Sequence, residues 1–197
     1  MPVTNEQLAE IQKRVESVPP TALAAELQKN AEALLLQKEN PALHFGVGLL
    51  YARIGDFASA TKMLSTASNL AGNNEIILGA LAYLFANHVG DHEIALEYLK
   101  KLHKLNKKNP ATPLLMANSA LHLGKPEDAL AFIDKVRKLK AESPQLLFTE
   151  AQAFIQLGRR EEAKELANTL SKSTDPGETR LAEALHQQLK ATARPKK

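Results

Sequence analysis

Four short stretches, GDFASA at Gly55, GDHEIA at Gly90, GKPEDA at Gly124 and GRREEA at Gly158, each place a glycine five residues ahead of an alanine. The glycines stand 35, 34 and 34 residues apart. So regular an interval requires like units that each pack against their neighbours. Between the marks, apolar residues recur at spacings of three and four, the period of a helix. PALHFGVGLLYARIG pairs with FASATKMLSTASNLAG, and IILGALAYLFANHVG with HEIALEYLKKLHKLN. TPLLMANSALHLG pairs with PEDALAFIDKVRKL, and PQLLFTEAQAFIQLG with REEAKELANTLSK. Each glycine therefore falls between two helices of about a dozen residues, where a left-handed residue ends the first. Asp, Glu or Pro then opens the second. The alanine faces back onto the first helix of its pair and lets the two approach closely. The expected fold is all-α, antiparallel helix pairs wound into a right-handed superhelical solenoid.

Prolines at Pro41, Pro110, Pro144 and Pro176 mark the junctions between pairs. Four units then cover 41–176. Residues 1–40 read as a worn, degenerate helix pair, because Pro20 and Ala25 precede Gly55 and Ala60 by 35 residues. GETRLAEALHQQLKATA carries Leu181, Leu185 and Leu189 at spacings of four and reads as a capping helix over 177–193. RPKK, 194–197, is a basic tail. No linker or low-complexity stretch divides the chain, so the expectation is one domain, 1–197.

A period of 34 with helix–turn–helix units resembles the tetratricopeptide repeat. Gly48 and Tyr51 fall on that family's small and aromatic first-helix positions, and Ala60 and Ala67 on its second-helix alanines. Ala117, Ala151 and Phe154 continue the first pattern, and Ala95, Ala129 and Ala163 the second. Tyr83 stands where the second unit should carry a small residue, and the family's Trp is missing throughout. The resemblance implies a concave surface lined by the first helix of each unit. Applied here, it gives a partner-binding groove of Phe45, Leu49, Arg53, Leu84, Asn87, His88, Leu114, Asn118, His122, Phe148, Gln152 and Gln156. Polar side chains recurring at that period inside apolar helices give the groove an apolar floor and one hydrogen-bonding edge. The family's two-carboxylate clamp for chaperone tails needs Lys, Asn and Arg. The matching positions hold Phe45, Leu49, Leu81, Ala111 and Leu115, so the expected partner is a partly apolar peptide or helix.

Composition narrows the function further. The chain has 44% apolar and 24% charged residues, no Cys and no Trp. Thiol chemistry, disulfides and thiolate metal sites are excluded. The first residues lack the apolar core of a signal peptide, and no apolar run nears the length of a membrane span. The expectation is a cytoplasmic protein without membrane insertion. From Ala95 to Lys140 ten Lys/Arg stand against four Asp/Glu. This basic surface, with Lys100, Lys101, Lys104, Lys107, Lys108 and Lys138, is the alternative site, for nucleic acid or another anionic partner. Nucleic acid is disfavoured, because no aromatics interleave with the lysines to stack bases. Of the six histidines, His88 and His92 have metal-ligand spacing, but Gly90 and Asp91 between them form the turn. No nucleophile elbow, phosphate loop or HExxH motif occurs. The expected function is a non-enzymatic interaction scaffold or adaptor without cofactor or metal, and a second copy of the chain is a candidate for covering its apolar groove.

Overall fold

A computed structural model describes residues 3–192. The tail expected over 194–197 lies outside the described residues. These fold into eleven α-helices with no strand. In chain order they are α1 (Asn5–Ser17), α2 (Leu23–Leu36), α3 (Pro41–Ile54), α4 (Phe57–Ala71), α5 (Glu75–Leu84), α6 (His92–Leu105), α7 (Ala111–His122), α8 (Pro126–Lys138), α9 (Pro144–Gln156), α10 (Arg160–Leu170) and α11 (Pro176–Thr192). Consecutive helices pair as α3 with α4, α5 with α6, α7 with α8 and α9 with α10. The chain divides into two compact units, one ending at Asn106 and one beginning at Lys107.

The corners follow from local chemistry. Gly55, Gly90, Gly124 and Gly158 all have positive φ, between 67° and 92°, which costs a side-chain-bearing residue steric energy. At two of the four corners the residue after the glycine then caps the next helix with its side chain. Asp56 accepts from Ser59 N–H and Asp91 from Ile94 N–H, each at 3.0 Å. The Ser59 hydroxyl, and after it that backbone N–H, holds the exposed Asp56 carboxyl below the usual carboxylate range. Asn40, Asn74 and Ser143 cap α3, α5 and α9 in the same way. Pro41, Pro144 and Pro176 occupy the first helical position, where the missing N–H has no partner to lose.

The alanines after the turns, Ala60, Ala95, Ala129 and Ala163, are all wholly buried. Gly48 performs the matching task on α3: a Cβ there would lie 2.8 Å from Leu64 Cγ and 3.2 Å from Leu64 N. Close packing of α3 on α4 therefore depends on a missing side chain.

The 35-residue interval between Gly55 and Gly90 has a structural cause. At three corners the N–H beyond the glycine bonds a carbonyl five residues back: Asp56 to Tyr51, Lys125 to Ala120 and Arg159 to Phe154. At the fourth, Asp91 reaches back six residues to Phe85. The extra residue is absorbed in a π turn, Phe85–Val89, that widens the end of α5. Equivalence between first helices therefore has to be counted from the capping side chains at their starts, Asn40, Asn74, Asn109 and Ser143. Counted so, the small position in α5 is Ala82, which is buried, and not Tyr83, which is 62% exposed. The aromatic position is Phe85, whose ring stacks on Tyr98 of α6 with centroids 5.7 Å apart.

The first unit has a core of Leu8, Phe45, Leu64, Ile77, Leu81 and Leu84. Leu8 belongs to α1, which lies against α3 and α5, whereas α2 packs on α3. In the second unit, Leu121, Ile133, Val136 and Leu146 form one cluster. Leu170, Leu185 and Leu189 form another, in which α11 covers α9 and α10. The leucines of the expected cap thus face the preceding pair. Among the described residues no helix is long and apolar enough to cross a membrane.

Candidate functional site

In the second unit the expected polar edge is brought together. Asn118 and His122 of α7 meet Gln152 and Gln156 of α9 around a small cleft of about 100 Å³, closed by Leu121. The buried Thr149 hydroxyl lies 2.9 Å from the Asn118 side-chain amide and 2.7 Å from the Gln145 carbonyl, so it ties α9 to α7 at this point. Gln156 Nε2 donates at 3.2 Å to the Leu121 carbonyl in the last turn of α7, which also accepts from Gly124 N–H at 3.0 Å. Side-chain amides both donate and accept, so such a cleft can pair with the backbone of an extended peptide. Leu114 and Phe148 are half-buried and turned into the packing of this unit. On the open side of α7 the exposed apolar residue is Leu115.

In the first unit the expected residues separate. Phe45 and Leu84 are core, with 0% and 2% exposure. The misplacement of Leu84 follows from the π turn, because counting backward from Gly90 enters α5 one residue out of step. The residue of α5 equivalent to Leu49, Asn118 and Gln152 is Tyr83, and the one equivalent to Arg53, His122 and Gln156 is Asn87. Asn87 donates to the Tyr83 carbonyl at 3.0 Å. The His88 ring stacks on Phe57, centroids 4.7 Å apart, and meets Tyr83 edge-on at 5.5 Å.

Leu49 and Arg53 engage α1, an occupant the repeat pattern did not announce. Leu8, Ile11 and Val15 form its one apolar stripe, at spacings of three and four. Leu8 and Val15 are buried, and a Cβ on Gly46 would come within 3.3 Å of Ile11 Cγ2. Arg53 donates from Nη1 to the carbonyls of Val15 and Val18, at 2.5 and 2.6 Å. That guanidinium thus caps the C-terminal end of α1, where cations and donors are favoured. At the other end Asn74 donates to Asn5 at 2.7 Å. A hollow of about 740 Å³ continues beside α1, walled by Leu49, Ala52, Ile76, Gly79, Ala80 and Tyr83. The signal that could have revealed α1 is its polarity. Only three of its positions are apolar enough to pack, whereas α3 is apolar all round and so needs cover on every side.

The lysines of the alternative site are exposed but not uniformly at liberty. Lys138 pairs with Asp134 at 2.6 Å, and Lys101 Nζ lies 5.1 Å above the Tyr98 ring. Lys100 and Lys104 lie on α6, and Lys107 and Lys108 belong to the second unit. Among the described residues no three His, Asp or Glu side chains gather as a metal site.

The tetratricopeptide repeat family model matches residues 88–147. No curated protein matches the chain. Among solved structures, a tetratricopeptide repeat protein from Parabacteroides merdae is similar with TM-score 0.79 and 18% identity, covering 94% of this chain and 75% of that one. YrrB, described as a tetratricopeptide repeat protein with an unusual peptide-binding site, is similar with TM-score 0.74 and 18% identity, over 93% and 94% of the two chains. A thermophilic repeat protein of Thermus thermophilus follows with TM-score 0.60 and 16% identity, over 94% and 99%. At these identities the likeness carries the fold. The repeated corners, the packed small residues, the matched repeat and the shared architecture lead to one assignment: residues 88–147 match the tetratricopeptide repeat, and the chain has the all-α solenoid fold of proteins built from that repeat.

Proposed function

We propose that the chain is a non-enzymatic interaction scaffold whose first helices receive a partly apolar peptide or helix from a partner protein. The observation that carries this reading is the cleft of the second unit. Four side chains from equivalent positions on α7 and α9 converge there, three of them amides suited to a peptide backbone, beside the exposed Leu115. A helix pair stack offers extended surface for contact, and YrrB shows in its description that this fold can carry a peptide site. The reading is tested by pull-down from the source cell with wild type and an Asn118→Ala/His122→Ala double variant of unchanged helicity and melting temperature. Loss of a partner with the double variant is the expected result. If every partner survives that change but is lost on reversing Lys104, Lys107 and Lys108 to Glu, the basic surface is the site instead.

A further inference from the structure

The first unit already holds a helix on the face that the first helices present. The contact is built in detail: Gly46 makes room for Ile11, Arg53 caps the far end, and Asn74 holds the near end. Yet α1 is the helix with least invested in the fold. Ten of its thirteen residues are exposed, against two of fourteen in α3. Hollows flank it on both sides, one of about 740 Å³ over α3 and α5 and a wider one toward Leu35 and Leu36 at the end of α2. A helix of this length has little stability of its own and depends on the surface beneath it. The first linkage behind it, Val18–Pro19–Pro20, contributes no helix-continuing N–H at either proline, so α1 can leave without unwinding α2.

We propose that α1 is a releasable resident ligand, and that the face beneath it on α3 and α5 is the docking site for an amphipathic helix of a partner protein. The chemistry of that partner helix is read from α1 itself. It carries three apolar residues at spacings of three and four, with the middle one seated over Gly46. Its C-terminal carbonyls point at the Arg53 guanidinium. Its remaining faces are polar, and a bulkier apolar residue flanking the stripe would enter the hollow beside Gly79 and Tyr83. Departure of α1 would uncover Phe45, Leu49, Ile76 and Ala80 together, an apolar patch that water does not tolerate and a partner would cover. This rests on the reading of first-helix faces as binding surface, but it concerns residues that the pull-down variant leaves untouched.

The test uses full-length chain and a fluorescent peptide of residues 3–18 as probe. The chain has no cysteine, so an Ile11→Cys/Gly46→Cys variant offers one disulfide, which locks α1 in place. A second variant, Leu8→Asp/Val15→Asp, weakens the resident helix while the floor stays intact. The expected result is probe binding at least tenfold tighter to the Asp variant than to wild type. Binding to the cysteine variant should be abolished when oxidised and restored when reduced. Equal binding to all forms, or no binding to the Asp variant while its circular dichroism shows helices α3 to α11 retained, overturns the proposal. So does light scattering in which the Asp variant forms a dimer that wild type does not, because a second copy would then be the occupant.

Discussion

Arg53 and Val15 stand 38 residues apart in sequence, and a single hydrogen bond of 2.5 Å joins the side chain of one to the backbone of the other. The side chain that the repeat pattern placed on an open edge is therefore a clamp on the neighbouring helix. Removing it as Arg53→Ala leaves two carbonyls at the end of α1 without their charged donor. The expected cost is about 1 kcal/mol, roughly a fivefold change, confined to local opening. Amides of residues 8–17 should exchange that much faster in native-state hydrogen exchange, and those of α4 should not change. Equal acceleration in both helices would mean that α1 and α4 open together.

Two glycines in first helices should respond to the same substitution with opposite sign. At Gly48 a Cβ meets both the side chain and the backbone of Leu64, so α3 and α4 must separate. Gly48→Ala should lower stability by about 1–2 kcal/mol, since overpacking exceeds the gain in helix propensity. At Gly79 a Cβ meets nothing within 4 Å. Gly79→Ala should raise stability by up to about 1 kcal/mol. Urea midpoints at constant m-value measure both.

The backbone yields a similar pair. Gly124 has φ 67° at the corner between α7 and α8, and Lys140 is a side-chain-bearing residue at φ 55° after α8. Gly124→Ala should destabilise by about 1 kcal/mol, and Lys140→Gly should stabilise by a few tenths to about 1 kcal/mol. Thermal melts should move by a few degrees in opposite directions.

The cap at Asp56 gives a dependence on pH. Hydrogen bonds from Ser59 depress its carboxyl pKa in the folded chain, so folding is favoured with the carboxylate ionised. That contribution is complete above the unfolded value near 3.8 and is lost as pH falls through the lower, folded value. Asp56→Ala should melt below wild type at pH 7, and the gap should shrink as acid protonates the wild-type cap. A gap that stays constant down to pH 2 would show that the cap works without its charge.

Much of this architecture was legible because it is local. A glycine corner, a capping Asp and a buried alanine five residues on are all written within six residues, and each is required by backbone sterics or contact distance. The cleft of Asn118, His122, Gln152 and Gln156 was legible because α7 and α9 repeat at an undisturbed interval of 34. Phe45 and Leu84 misled for two physical reasons. α3 is apolar on every side, so its periodicity does not distinguish the face toward α4 from the face toward α1. In α5 the extra residue is taken up at the π turn, so a count from the glycine puts Leu84 where Tyr83 stands. The interval of 35 was the trace of that insertion. The role of α1 left no trace at the repeat period, because its match to α3 and α5 is one of shape.

The contact of α1 with α5 also sets an order of events. Leu8 packs in one cluster with Ile77, and Asn5 bonds to Asn74, so the first unit closes a loop of 69 residues from the start of α1 to the start of α5. In the second unit α7 to α11 pack on helices at most two steps away along the chain. Closing a long loop costs entropy before any contact rewards it, whereas neighbour-on-neighbour packing can grow by accretion. The second unit should therefore complete itself helix by helix as it leaves the ribosome. The first, although synthesised earlier, stays unfinished until α5 has emerged, and through that interval α1 is a nascent amphipathic segment waiting for a floor not yet made.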